Sequence, residues 1–251
     1  MSTKKLTRKT SVLRGTIRET LASYWRIWRT MLLATLPPVI LIAVLRLLTD
    51  DSTGDQYNTL IALISIFTTA LVVRISVAGW NRKQIRTIPY YSGVMMRLLS
   101  VIGLVAIYVM ASLPALAGFV LVGLVLVREI AVGWIVVALP IFGFGVALML
   151  TLSLALYALM DDMSLTVAQA FRVSLRLTRR YFWQVVRFWL LMLAIAGGII
   201  GVFIIVSGYT PLAMQDLRLQ VLLDGLVSWI VTPFILYIGS VVYKRLVEDY
   251  E

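Results

Sequence analysis

Neither cysteine nor histidine occurs among the 251 residues. Without thiols there is no disulfide and no thiolate nucleophile or metal ligand, and without imidazole the commonest general base and metal ligand at neutral pH is missing. Acidic side chains are scarce as well, 12 Asp and Glu against 23 Lys and Arg. The chain carries no glycine-rich phosphate loop and no metal-ligand spacing. These absences point to a non-enzymatic protein with no cofactor and no metal.

What is abundant is apolar. The chain is 61% hydrophobic with a mean hydropathy of +0.94, far more apolar surface than a soluble domain of this length can bury. It reads as an integral membrane protein. The net charge of +11 must then lie in short segments between spans, where anionic lipid is a nearer partner than nucleic acid; no nucleic-acid partner is expected. The basic start, MSTKKLTRKTSVLRG, is not followed at signal-peptide distance by a short apolar core and a small-residue cleavage site, so the first span is expected to be retained.

Six apolar runs have spanning length: Thr30 to Leu48, Thr59 to Trp80, Leu98 to Val127, Ile130 to Met160, Val185 to Ser207 and Val221 to Tyr243. The fold class is therefore all-α, a polytopic membrane protein of six transmembrane helices with two or three cytosolic interfacial amphipathic helices. Residues 1–15 form a flexible basic tail and 16–247 a single membrane domain of three helix-hairpin units, near 16–80, 87–160 and 164–246. Helix starts are expected at Thr16, in a capping box with Glu19, at Thr87, and at Ser164. Pro37 and Pro38 mark an expected kink, Pro114 and Pro140 with Gly143 and Gly145 kinks or close helix contacts, and Pro233 stands at the middle of the sixth span.

Charge sets the orientation. Residues 1–29 hold eight Lys and Arg, Arg74 to Arg97 five, Arg172 to Arg187 five and the tail two, making twenty on one side; Arg46, Arg128 and Arg218 are the three on the other. The positive-inside rule then places both termini in the cytosol and Asp51, Glu129 and Asp216 outside.

The segment from Asp161 to Ser207 organises the rest. It begins as a basic amphipathic helix and passes, with no loop residues between, into an apolar span. Arg172, Arg176, Arg179 and Arg180 share one stripe of the wheel, with Val167, Ala170, Phe171, Val173 and Leu177 on other faces; Phe182, Trp183 and Trp189 mark the approach to hydrocarbon. These four arginines, with Arg26 and Arg29 on the first amphipathic stretch, are the candidate groups for binding lipid headgroups or a partner. Asp161 and Asp162 are expected at the positive end of the amphipathic helix with Ser164 as cap, a capping role rather than acid/base chemistry. Arg74 is expected to snorkel to the cytosolic surface, and Asp224 to sit at the outer interface. Gly197 and Gly201, four apart, are expected to pack closely on a neighbouring helix.

The run DDMSLTVAQAFRVSLRLTRRYFWQV, from Asp161 to Val185, resembles the signature of a large group of bacterial six-helix membrane proteins. That group includes the membrane domain attached to some glycerophosphodiester phosphodiesterases and the YciC-type inner-membrane proteins. There an acidic residue ends the fourth span, an Ala and a Ser follow at helical spacing, and an aromatic pair opens the fifth span; Asp161 or Asp162, Ala170, Ser174, and Phe182 with Trp183 stand in those places. The group often has Gly where this chain has Arg180, and often Glu for the acid. The resemblance implies the six-helix fold and a bacterial inner-membrane location. It does not imply phosphodiesterase chemistry, which in the fused proteins belongs to a separate soluble domain.

The functional expectation is a lipid-interacting scaffold or membrane subunit of a larger complex, with anionic lipids and the proteins of such a complex as partners. A transporter or permease subunit is the alternative, although strongly polar residues at mid-membrane are nearly absent. A lipid-modifying enzyme is the third, with only Asp161, Asp162 and Ser164 to carry it.

Overall fold

The computed structural model describes residues 12–48, 54–80, 87–127, 131–209 and 217–250. Among the described residues there are helices and no strands. In order they are α1 (Val12–Leu48), α2 (Gly54–Trp80), α3 (Thr87–Met96), α4 (Leu98–Leu126), a 3-10 turn (Val132–Trp134), α5 (Ile135–Leu152), α6 (Ala155–Asp161), α7 (Val167–Arg180), α8 (Phe182–Tyr209) and α9 (Leu217–Glu248). Five segments are long and apolar enough to cross a membrane: Ala22–Arg46, Tyr57–Trp80, Leu98–Leu126, Ile135–Asp161 and Trp229–Glu248. The chain is thus an all-helical, multi-pass membrane protein by length and composition. The expected fifth span falls on α8, where the described apolar stretch is Phe182–Ile195. The basic tail to residue 11, the loops carrying Asp51, Glu129 and Asp216, and the Asp224 side chain lie outside the described residues.

The helices group into two compact units, 1–96 with 187–251, and 97–186. In the first, α1, α2 and α9 pack on one another and α3 packs on α2. Its core holds Met31, Leu71, Ile75, Tyr237 and Leu246, each less than 2% exposed. Tyr24 of α1 meets Phe234 of α9 edge-on at 5.2 Å between ring centroids, and the Trp80 indole donates to the Glu248 carboxylate at 2.9 Å, joining the ends of α2 and α9.

The expected start at Thr16 and the division of the first segment into an interfacial helix and a span are both replaced by one helix of 37 residues. Nothing between Arg29 and Thr30 breaks a helix, so the amphipathic stretch and the apolar stretch are parts of one helix. Pro37 and Pro38 lie inside α1. A proline has no N–H for the carbonyl four residues earlier, so Pro38 leaves the Ala34 carbonyl without its helical partner. The Tyr91 hydroxyl of α3 donates to that carbonyl. This is how a membrane helix tolerates proline, through a neighbouring side chain that satisfies the released group.

In the second unit α4 and α5 form a tight antiparallel pair. A Cβ on Gly118 would lie 2.7 Å from the Phe142 Cα, and one on Gly145 would lie 2.6 Å from the Ala115 Cα. Backbone meets backbone at both points, which is the use small residues have between membrane helices. The close contact expected near Gly145 is present. Outward residues of this pair, among them Leu116, Phe119, Val136 and Phe144, are exposed and apolar, as a lipid-facing surface requires.

The fourth span, expected from Ile130 to Met160, is present as the apolar segment Ile135–Asp161, in which Ser153 and Leu154 separate α5 from α6. At the junction the Leu150 carbonyl accepts from the Ser153 hydroxyl at 2.7 Å and from the Ser153 N–H at 3.4 Å. A serine that bonds back to its own helix in this way competes with the regular ladder. Pro140, where a kink is expected, lies within α5 without ending it.

Candidate functional site

The basic amphipathic helix is present as α7, and its orientation is fixed by polar contacts at both ends. Its start is not Ser164. Thr166 is the N-cap, in extended conformation, and forms a capping box with Gln169: the Thr166 hydroxyl accepts from the Gln169 N–H at 3.3 Å, and the Gln169 Oε1 accepts from the Thr166 N–H at 2.8 Å. TVAQ therefore prevails over SLTV because only the former offers a side chain that returns the bond. Ser164 belongs to a preceding turn in which its N–H and hydroxyl both donate to Asp162, at 2.9 and 2.7 Å. Asp161 closes α6 and Asp162 is its C-cap, so the two acids stand at the end of α6 rather than at the positive end of α7. Arg97 is the N-cap of α4 and donates to the Leu165 carbonyl at 2.9 Å, holding the segment that leads into α7.

The inner face of α7 is small and hydroxylic. Ala170, Ser174, Leu177 and Thr178 are buried against α5 and α6. The last carbonyls of a helix have no partner within it. Ser174 donates to the Thr151 carbonyl, and Thr178, at 3.5 Å, shares the Leu150 carbonyl that Ser153 already meets, both at the end of α5. The break in the fourth span and the hydroxyls of α7 thus complete each other.

With that face docked, the opposite one is determined. Arg172, Arg176, Arg179 and Arg180 are all exposed, as the wheel requires. Arg180 lies over the Tyr181 ring at 5.7 Å. Tyr181, the C-cap, separates α7 from α8, so one non-helical residue stands where an uninterrupted passage is expected. Phe182 and Trp183 open α8 at 42% and 70% exposure, packed edge-on to each other at 5.5 Å. Arg26 and Arg29 belong to the other unit and are exposed on α1; Arg29 lies over Trp28 at 5.7 Å, and Trp28 meets Trp25 edge-on. Arg74 is half-buried beside the Tyr90 ring at 6.0 Å.

At Gly197 and Gly201 an added Cβ meets nothing within 4 Å among the described residues, in contrast to Gly118 and Gly145. Among the described residues no group of three acids that could hold a metal comes together.

A feature the span-by-span reading misses lies in the first unit. A cavity of about 240 Å³ opens between α1, α2 and α9, lined by Thr35, Arg46, Ser65, Thr69, Trp229 and Thr232 among others. Ser65 and Thr69 donate to the carbonyls of Ile61 and Ser65, at 2.8 and 2.9 Å, and Thr35 donates to Met31 at 2.9 Å while accepting the Trp229 indole N–H at 3.0 Å. The signal was the spacing of Ser65, Thr68 and Thr69, which puts three hydroxyls on one face of an otherwise apolar helix.

Comparison with protein-family models, with curated proteins and with solved structures gives no match. The functional reading therefore rests on the residues and their geometry.

Proposed function

We propose that this is a six-span protein of the bacterial inner membrane, related to the six-helix group its Asp161 to Val185 segment resembles, with both termini cytosolic. It acts as a non-enzymatic, lipid-engaging scaffold or membrane subunit. The carrying observation is α7: one face is pinned to α5 and α6, leaving four arginines exposed together. At about 1 kcal/mol for each basic residue near an anionic leaflet, the stripe contributes roughly 4 kcal/mol of attachment. The exposed Trp183 next to it suits the headgroup level. The sixth crossing is supplied by α8, 28 residues long and so about 42 Å at the helical rise. An even number of crossings agrees with twenty basic residues assigned to one side and three to the other.

Replacing Arg172, Arg176, Arg179 and Arg180 together by Gln should strip co-purifying anionic lipid, or a bound subunit, from the gently solubilised protein in native mass spectrometry. Retention of both at normal expression would leave the stripe as an orientation signal only. For topology, single cysteines introduced into this cysteine-free chain can be treated with an impermeant reagent on whole cells. Labelling at positions 83 or 176 but not at 51 would reverse the orientation.

A further inference from the structure

The cavity between α1, α2 and α9 has a length, a wall chemistry and a charge at one end. From Thr35 to Arg46 is eleven residues of α1 (46 less 35), which at the helical rise is about 16 Å. One leaflet contributes about half of a 30 Å hydrocarbon core, so the groove matches the depth of a single leaflet. The hydroxyl hydrogens of Thr35, Ser65, Thr68 and Thr69 point back to the carbonyls of their own helices, which leaves methyl groups, oxygens and the side chains of Val39 and Ile42 along the wall. The inner end is closed by the bond between Trp229 and Thr35. At the outer end stands Arg46, exposed and the last charge on α1.

We propose that this groove holds one acyl chain of an anionic phospholipid, with its phosphate at the Arg46 guanidinium. The chain lies against α2 and α9 and its tip reaches Trp229. This site is independent of α7: it is built from other helices, and its phosphate is held by one of the three basic residues assigned to the opposite side of the membrane. Guanidinium suits the phosphate because it donates two parallel bonds to it.

The full-length protein can be reconstituted into phosphatidylcholine vesicles containing a minor fraction of lipid brominated on its acyl chain. The readout is quenching of the emission component that Trp229→Phe removes. Brominated phosphatidylglycerol should quench it at about one fifth the mole fraction that brominated phosphatidylcholine needs, the ratio equivalent to about 1 kcal/mol for one basic side chain. Arg46→Gln should abolish that preference and Arg46→Lys should keep much of it, showing that the protein remains folded. Ala43→Phe, which fills the groove, should protect Trp229 from both lipids. The α7 variant with four Gln should leave the quenching unchanged. Equal quenching by the two lipids, a preference that survives Arg46→Gln, or quenching that persists in Ala43→Phe would overturn the proposal. So would relief of quenching by inorganic phosphate, which would assign Arg46 to a soluble anion.

Discussion

Tyr91→Phe removes one oxygen and should release one carbonyl. The ring stays in place against Phe67, 5.9 Å away between centroids, so the packing of α3 on α2 is retained and the change isolates the hydroxyl. The Ala34 carbonyl then has neither Tyr91 nor a helical N–H, because its natural donor is Pro38. Hydrogen bonds between membrane helices contribute about 0.6 kcal/mol on average and up to about 1.7, and a buried acceptor left unpaired costs about 1–3. The expected loss is about 1–2 kcal/mol, or a few degrees in melting temperature followed by tryptophan emission in detergent, at the ~2–4 °C per kcal/mol of a chain this long. Pro38→Ala supplies the missing N–H. In that background the tyrosine hydroxyl is redundant, and Tyr91→Phe should cost close to nothing. Equal losses in both backgrounds would show that the hydroxyl acts elsewhere and would refute the reasoning. Alkaline pH offers a further check. Burial raises the Tyr91 phenol above its ordinary value of 10.0. The neutral phenol is thus the form that folding favours. Its contribution is complete below the unfolded value near 10 and is lost as pH rises through the folded one, so the gap between wild type and Tyr91→Phe should narrow above about pH 10.

The remaining expectations use the same measurement. Ser174→Ala should lower stability by about 1–2 kcal/mol because it orphans the Thr151 carbonyl, and Ser174→Val should do no better, since Ser174 is fully buried; unchanged melting in both would dismiss the α7 lock. Gly145→Leu should destabilise severely or prevent assembly of α4 on α5, whereas Gly197→Leu should be tolerated if its surroundings are as open as the described residues make them; the reverse order would move the helix contact to α8. Arg172, Arg176, Arg179 and Arg180 changed to Gln should alter bound anionic lipid far more than melting temperature, because all four side chains are exposed.

The elements that could be read from the sequence are those set by short-range pattern. The apolar runs are helical, although the first continues the amphipathic stretch before it and the fourth is interrupted at Ser153; Thr87 does open α3, and the wheel of α7 correctly separated the exposed arginines from Ala170 and Leu177. A period of 3.6 residues is enough for each of these. Helix ends were less legible. Thr16 and Ser164 both satisfy the one-letter pattern of a cap, yet the first sits inside a helix and the second in a turn held by Asp162. A cap depends on whether the preceding backbone is extended, and that is decided by packing rather than by the four residues of the motif.

Pairs across helices were not legible at all, and they follow one physical rule. Where the backbone ladder is interrupted, a carbonyl is released inside a membrane helix, and no water is at hand to take it. Pro38 announces such a release at Ala34, but nothing local says that the donor is a tyrosine 57 residues later. The end of α5 is announced even less, since Ser153 is no more a helix breaker than the serines within α2; its Thr151 carbonyl is met by Ser174, 23 residues on, and its Leu150 carbonyl by Ser153 together with Thr178, 28 residues on. The hydroxyls that look idle in a hydropathy reading are therefore the ones to inspect. Ser65, Thr68 and Thr69 of α2 bond within their own helix and wall the groove, whereas Tyr91, Ser174 and Thr178 bond to another helix and hold its break in place. This division explains why α7 presents its arginines on a fixed face although its inner side contributes little apolar burial: the positions Ala170, Ser174 and Thr178, at intervals of four, keep the approach close enough for the hydroxyls to reach the carbonyls of α5.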